Sequence, residues 1–171
     1  MCGKAEPLDF PHSEETAVTG PTAHSRARHN PADGKAPVKR AATTVAVVFL
    51  VVGVLGFVPG VTSDFYDLRF AGHDSDAKLF GLFQVSVLHN IVHLLFGVAG
   101  LVLGRTVTGA RTYLVGGGAI YLVLWLYGLV IDHDSTANFI PVNNADNWLH
   151  LFLGLGMIAL GILTTRGRPR R

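Results

Sequence analysis

His89 and His93 stand one helical turn apart in Ser86 to Gly104 (SVLHNIVHLLFGVAGLVLG), a run with no Asp, Glu, Lys or Arg, and His150 stands in a second apolar run just after Asp146 and Asn147. These residue types admit three chemistries. Imidazoles at i and i+4 can present two nitrogens to one Zn or Cu ion, with His150 as third ligand and Asp146 or Asp132 nearby; haem more often takes ligands from different helices, which His93 and His150 would supply. The same rings could relay protons, or line an ion or small-solute path, below an acidic outer mouth made of Asp132, His133, Asp134, His73 and Asp74. The third chemistry is helix-to-helix hydrogen bonding, with Asn90 and Asn147 holding the rings in orientation. Interhelical polar contacts are common packing devices in membrane bundles. The primary expectation is therefore a structural or partner-binding membrane bundle of unknown molecular function, with a metal or haem site and a solute pathway as alternatives.

The elements that must position these groups are apolar helices. Ser86, His89, Asn90, His93, Gly97, Gly100 and Gly104 fall within an arc of roughly 100° on a 3.6-residue helix, leaving Leu, Ile, Val and Phe for the remaining surface. Asn143, Asp146, Asn147, His150, Gly154 and Gly161 form a seam of about the same width. Histidine and asparagine are costly in hydrocarbon, so both seams should face protein. Gly53, Gly97, Gly100, Gly104, Gly154 and Gly161 are the candidate helix-packing positions, where small residues let backbones approach.

The chain of 171 residues is 49% hydrophobic and 15% charged, with a mean hydropathy of +0.38. Four stretches lack charged residues: 41–63, 79–104, 112–131 and 147–165. Each is long enough to cross most of a hydrocarbon core about 30 Å thick. A soluble bundle would need a polar face on every helix, and TYLVGGGAIYLVLWLYGLVI has none. The fold class expected is all-α, an integral membrane four-helix bundle. The second span is expected to start near Leu79 and to exceed the bilayer thickness, and the fourth to be capped by Asp146 or a neighbouring asparagine.

Residues 1–40 hold five of the eight prolines and little hydrophobic periodicity, the composition of a disordered tail. The transmembrane domain is assigned to 41–165, and 166–171 (RGRPRR) form a basic tail. The single Cys2 excludes an intramolecular disulfide. All fourteen Lys and Arg residues except Arg69 and Lys78 lie in the tails or in the 105–111 connection. That asymmetry puts both termini in the cytoplasm. Positive flanks of this kind need no nucleic-acid partner; the bilayer, a second copy or another membrane protein are the partners expected. No phosphate loop, zinc-protease helix or serine elbow is present, so no enzyme is expected.

Two segments recur in order. His73-Asp74-Ser75 returns as His133-Asp134-Ser135, and Asn90-Ile91-Val92-His93-Leu94 with Gly97 and Gly104 returns as Asn147-Trp148-Leu149-His150-Leu151 with Gly154 and Gly161. Two repeated helical hairpins would make His93 and His150 equivalent. Each would lie about 16 Å from its inner helix end, near mid-bilayer. The rings should be neutral there, and either hydrogen-bonded or metal-bound.

The runs GLFQVSVLHNIVHLLFGVAGL, YLVLWLYGLVIDHDSTANFIPVN and ADNWLHLFLGLGMIALG resemble the family catalogued as domain of unknown function 4383, small four-span membrane proteins of mainly actinobacterial genomes. The resemblance covers residues 41–164 and is most specific in HNxxHLxxG and DNWLHLxLG. It implies a bacterial protein of the cytoplasmic membrane. It implies no activity, cofactor or catalytic residue.

Overall fold

In the computed structural model, residues 36–165 are described, with Gly3 alone upstream. The tail expected over 1–35 and the basic tail 166–171 lie outside the described residues. Four helices dominate: α1 (Ala36–Leu55), α2 (Val87–Leu103), α3 (Val107–Val130) and α4 (Asn144–Leu163). Between α1 and α2 the chain makes three two-residue strands, β1 (Thr62–Ser63), β2 (Lys78–Leu79) and β3 (Phe83–Gln84). They pair antiparallel in the order β1-β2-β3, with Thr62 opposite Leu79 and Leu79 opposite Phe83. The protein is thus an all-α membrane bundle with a small β cap. Pro37–Leu55, Val107–Val130 and Asn144–Leu163 are each long and apolar enough to cross a membrane, and α2 is a shorter apolar helix.

The second span does not begin near Leu79. Phe80 and Gly81 take positive φ values of 54° and 70°, a reversal that a helix cannot contain, and it folds Leu79 back over Phe83 as a hairpin. The helix starts only after Ser86, whose side chain accepts from the His89 N–H at 3.1 Å. Two further N–H groups of the first turn donate to loop carbonyls, Val87 to Arg69 at 2.9 Å and Leu88 to Phe70 at 2.8 Å. The apolar run 79–85 departs from the expected helix because hydrophobic period alone cannot tell a short strand pair from a helical turn. At the other end of the chain's first span, α1 starts at Ala36 and so already contains Lys39 and Arg40.

α3 starts at Val107 behind the Thr106 cap, so most of the expected 105–111 connection is helix. Asn143 caps α4: it accepts from the Asp146 N–H while the Asp146 side chain accepts from the Asn143 N–H, a reciprocal capping box. α1 packs along α2 and α3 along α4, and weaker contacts join the two hairpins. The main core gathers Val38, Ala42, Ala46, Phe49, Tyr113, Leu114, Tyr121 and Met157, and a second one under the cap consists of Ala77, Leu79 and Val85. Outward faces of the helices carry Val47, Val51, Leu95, Val123, Leu126 and Phe152, all exposed. In a membrane that is where lipid lies.

Candidate functional site

The buried residues of α2 are His89, Asn90, His93, Gly97 and Gly100, and those of α4 include Asp146, Asn147, His150, Gly154 and Gly161. Both seams therefore face the bundle. Four of these side chains, His89, His93, Asp146 and His150, line one cavity of about 210 Å³. The rest of its wall is apolar: Val48, Phe49 and Val52 from α1, Leu79, Phe80, Phe83 and Val85 from the cap, Leu149 and Leu153 from α4. Val48 is 51% exposed and Phe80 57% exposed. The cavity therefore opens sideways, between the apolar outer face of α1 and the tip of the β2–β3 hairpin.

Each polar group is held from a different direction. His89 Nδ1 lies 3.2 Å from the Pro141 carbonyl; a carbonyl only accepts, so Nδ1 carries the proton, and in the neutral ring Nε2 is left as an acceptor. The His89 and His93 rings are 4.7 Å apart. His93 packs on Phe49 with centroids 5.5 Å apart, and His150 on Tyr121 at 5.2 Å. Asp146 Oδ2 accepts from the Gln84 N–H at 2.9 Å and the Asn143 N–H at 3.0 Å. Gln84 in turn donates through Nε2 to Ser75 O at 2.8 Å and His73 O at 3.2 Å, and Asn143 Nδ2 donates to Leu82 O at 2.8 Å. The cap and the start of α4 are thereby clamped together around the carboxylate.

The hydrogen bonds expected between helices are missing where they matter most. Both amide atoms of Asn90, Oδ1 of Asn147, and Nδ1 of His93 and of His150 are buried with no partner. Asn90 and Asn147 each lie against a glycine, Gly56 just past the end of α1 and Gly128 within α3: a Cβ at Gly56 would fall on the Asn90 amide, and one at Gly128 on the Asn147 amide. Deeper down, a Cβ at Gly97 would meet Leu50 and the Ala46 carbonyl, and one at Gly154 would meet Leu122 and the Gly118 carbonyl. Gly53 faces Leu94, Gly100 faces Tyr113, Gly104 faces Ala42, and Gly161 faces Val115.

Several sequence expectations need correction. Among the described residues no three His, Cys, Asp or Glu side chains come together as a metal-holding group, so the geometry does not supply the metal site expected of His89, His93 and His150. The cavity, at about 210 Å³, is also smaller than the roughly 300 Å³ at which pockets for drug-sized ligands begin. Because α2 starts at Val87, His93 is its seventh residue, about 9 Å from that end and about 16 Å from Gly104. The acidic mouth is not part of the cavity wall. Asp132 and Asp134 build a local turn, with the Asp134 N–H donating to Asp132 Oδ1 at 3.1 Å. His133 Nε2 bonds the Gly128 carbonyl at 3.0 Å, and His73 pairs with Asp74 at 3.3 Å.

Sequence reasoning missed the cap's share of the site. Ser75 is fully buried; its Oγ donates to Val85 O at 2.6 Å and accepts from the Arg69 N–H at 3.1 Å. Asn138, also fully buried, bonds the carbonyls of His133 and Val142 and the Val142 N–H, and so shapes the loop that brings Pro141 to His89. A serine and an asparagine in loops carry no periodic signal. The Pro141 and Asn143 punctuation was the sole local pointer to this segment.

The family model described as Domain of unknown function (DUF4383) matches residues 39–163. No curated protein matches the chain, and no solved structure does.

Proposed function

We propose, for a chain that belongs to the DUF4383 family and inherits no activity from it, that the protein binds a small amphiphilic molecule in its intramembrane cavity and admits it from the lipid. The observation that carries this reading is the convergence of His89, His93, Asp146 and His150 on one apolar-walled space while buried nitrogens of His93 and His150 lack any protein partner. A bundle that used these groups only to join helices would satisfy them within the protein, because an unpaired buried polar atom costs about 1–3 kcal/mol. At about 210 Å³ the space exceeds the ~150 Å³ apolar cavities that take up benzene. A single ring or a short branched chain with one polar end is the occupant that fits.

The finer topology belongs to the same reading. Lys39 and Arg40 at the start of α1 and Arg105 and Arg111 at the α2–α3 connection lie at the bundle end opposite the cap. The rule that positive charge stays inside then puts both termini in the cytoplasm of a bacterial cell and the cap outside. The two hairpins are read as an internal repeat. Asn90 and Asn147, His93 and His150, and Gly97 and Gly154 keep one constant spacing along the chain, and their neighbours in or just past the preceding helix (Gly56 and Gly128, Phe49 and Tyr121, Leu50 and Leu122) keep another.

The test is photolabelling in lipid nanodiscs with 4-azidotoluene, a ring-sized apolar probe. Adducts should concentrate on the wall formed by Phe49, Leu149 and Leu153, and disappear from it in Leu153→Trp, which fills the space. Labelling spread evenly over the lipid-facing sides of α1 and α3, and unchanged by Leu153→Trp, would overturn the reading.

A further inference from the structure

Asp146 is 3% exposed, and burial costs a carboxylate its hydration, a cost that its neighbours offset only in part. Two backbone N–H groups point at Oδ2, and the residue sits in the first turn of α4, where the helix dipole is positive. What is missing is a counter-charge. No lysine or arginine lines the cavity, and among the described residues the only ion pair is His73 with Asp74, so none of the three imidazoles lies within pairing distance of the carboxylate. Buried charges are ordinarily paired. The wall also carries the rings of Phe49, Phe80 and Phe83, and aromatic faces attract cations, more so when water is excluded. A carboxylate only accepts, so Asp146 favours an occupant that donates to it.

Resting on the cavity reading above, we infer that the occupant is a lipophilic organic cation, an ammonium group on a ring-sized apolar body, with Asp146 as its counter-ion and Phe49 and Phe83 as its aromatic wall. The sideways opening at Val48 and Phe80 suits such a molecule. An amphiphilic amine partitions into the interface with its charge at headgroup level, and His93, the deeper of the two α2 histidines, lies only about 9 Å along the helix from the start of α2. An anionic headgroup would meet the Asp146 charge and no compensating cation.

The experiment is competition against the 4-azidotoluene adduct by a matched pair, benzyltrimethylammonium and neopentylbenzene, which share one shape and differ by one charge. With concentrations corrected for partitioning into the nanodisc, the cation should suppress the adduct at roughly tenfold lower concentration than the neutral isostere, equivalent to about 1.4 kcal/mol. Asp146→Asn keeps an oxygen for the Gln84 and Asn143 N–H groups and should abolish the preference while leaving neopentylbenzene competition intact, which also reports that the variant is folded. Should that variant fail to fold, the comparison within the wild-type protein still decides. A neutral isostere that competes as well as the cation, or a cation that does not compete, overturns the cation assignment and leaves the cavity reading standing. Only failure of the adduct itself to concentrate on the cavity wall removes both.

Discussion

Gly97 offers the sharpest test of how the first hairpin is held together. A Cβ built on it would sit 2.8 Å from the Ala46 carbonyl oxygen and 2.6 Å from Leu50 Cγ. The leucine could rotate away, but the carbonyl belongs to the backbone of α1 and can yield only if the two helices separate. Gly116, equally inside a helix, has nothing within 4 Å of the same position. Alanine at either site gains about 1 kcal/mol of helix preference over glycine. At Gly97 that gain is opposed by overpacking, about 1–3 kcal/mol in a close-packed interior. Gly116→Ala should thus be neutral or stabilising by up to about 1 kcal/mol, and Gly97→Ala should fall below it by about 1–3 kcal/mol. For a chain of this size each kcal/mol moves the midpoint by about 2–4 °C, so thermal unfolding of both variants in one detergent should separate them by several degrees. If Gly97→Ala melts at or above Gly116→Ala, α1 and α2 do not approach at this point and the packing argument fails.

Topology is checked by cysteine labelling in intact cells on a Cys2→Ser background: Asp76→Cys and Thr136→Cys, both exposed in the cap, should react with a membrane-impermeant maleimide, and Thr108→Cys only after permeabilisation. Reaction at Thr108 alone in intact cells would invert the assignment. Metal analysis of protein expressed with Zn and Cu available should find neither in stoichiometric amount, since among the described residues no three His, Cys, Asp or Glu side chains form a metal-holding group; one equivalent that is lost in both His93→Gln and His150→Gln would restore the ligand-site reading.

Helix number, seam composition and the family were legible because each rests on long-range periodicity or on a contiguous run. His89, Asn90, His93, Gly97 and Gly100 occupy one arc in the sequence and are the buried residues of α2. The cap was not legible. Leu79 to Val85 is as apolar as a helix, and what makes it a hairpin is a positive-φ reversal at Phe80-Gly81 together with a tertiary contact, the Gln84 N–H donating to Asp146. Neither leaves a periodic trace. Leu79, Phe80, Phe83 and Val85 of the cavity wall come from that unreadable segment, so the histidines could be found but not the space they face.

The same comparison explains why the two hairpins do not enclose a symmetric site. Matching the chain through Asn90 and Asn147 brings Ser86 onto Asn143 and His89 onto Asp146. Ser86 and Asn143 play one role, since each caps its helix by accepting from the N–H three residues on. The residue at that third position differs, and so does what fixes it. His89 donates to a carbonyl from the second loop, at Pro141, whereas Asp146 accepts from an N–H of the first, at Gln84. Each hairpin's seam residue is thus held by the other hairpin's loop, one as donor and one as acceptor. A pair of identical side chains would put two donors or two like charges at one cavity. The histidine–aspartate difference instead leaves one carboxylate among three imidazoles, and so gives the cavity a single acidic point toward which a ligand with one charged group can be oriented.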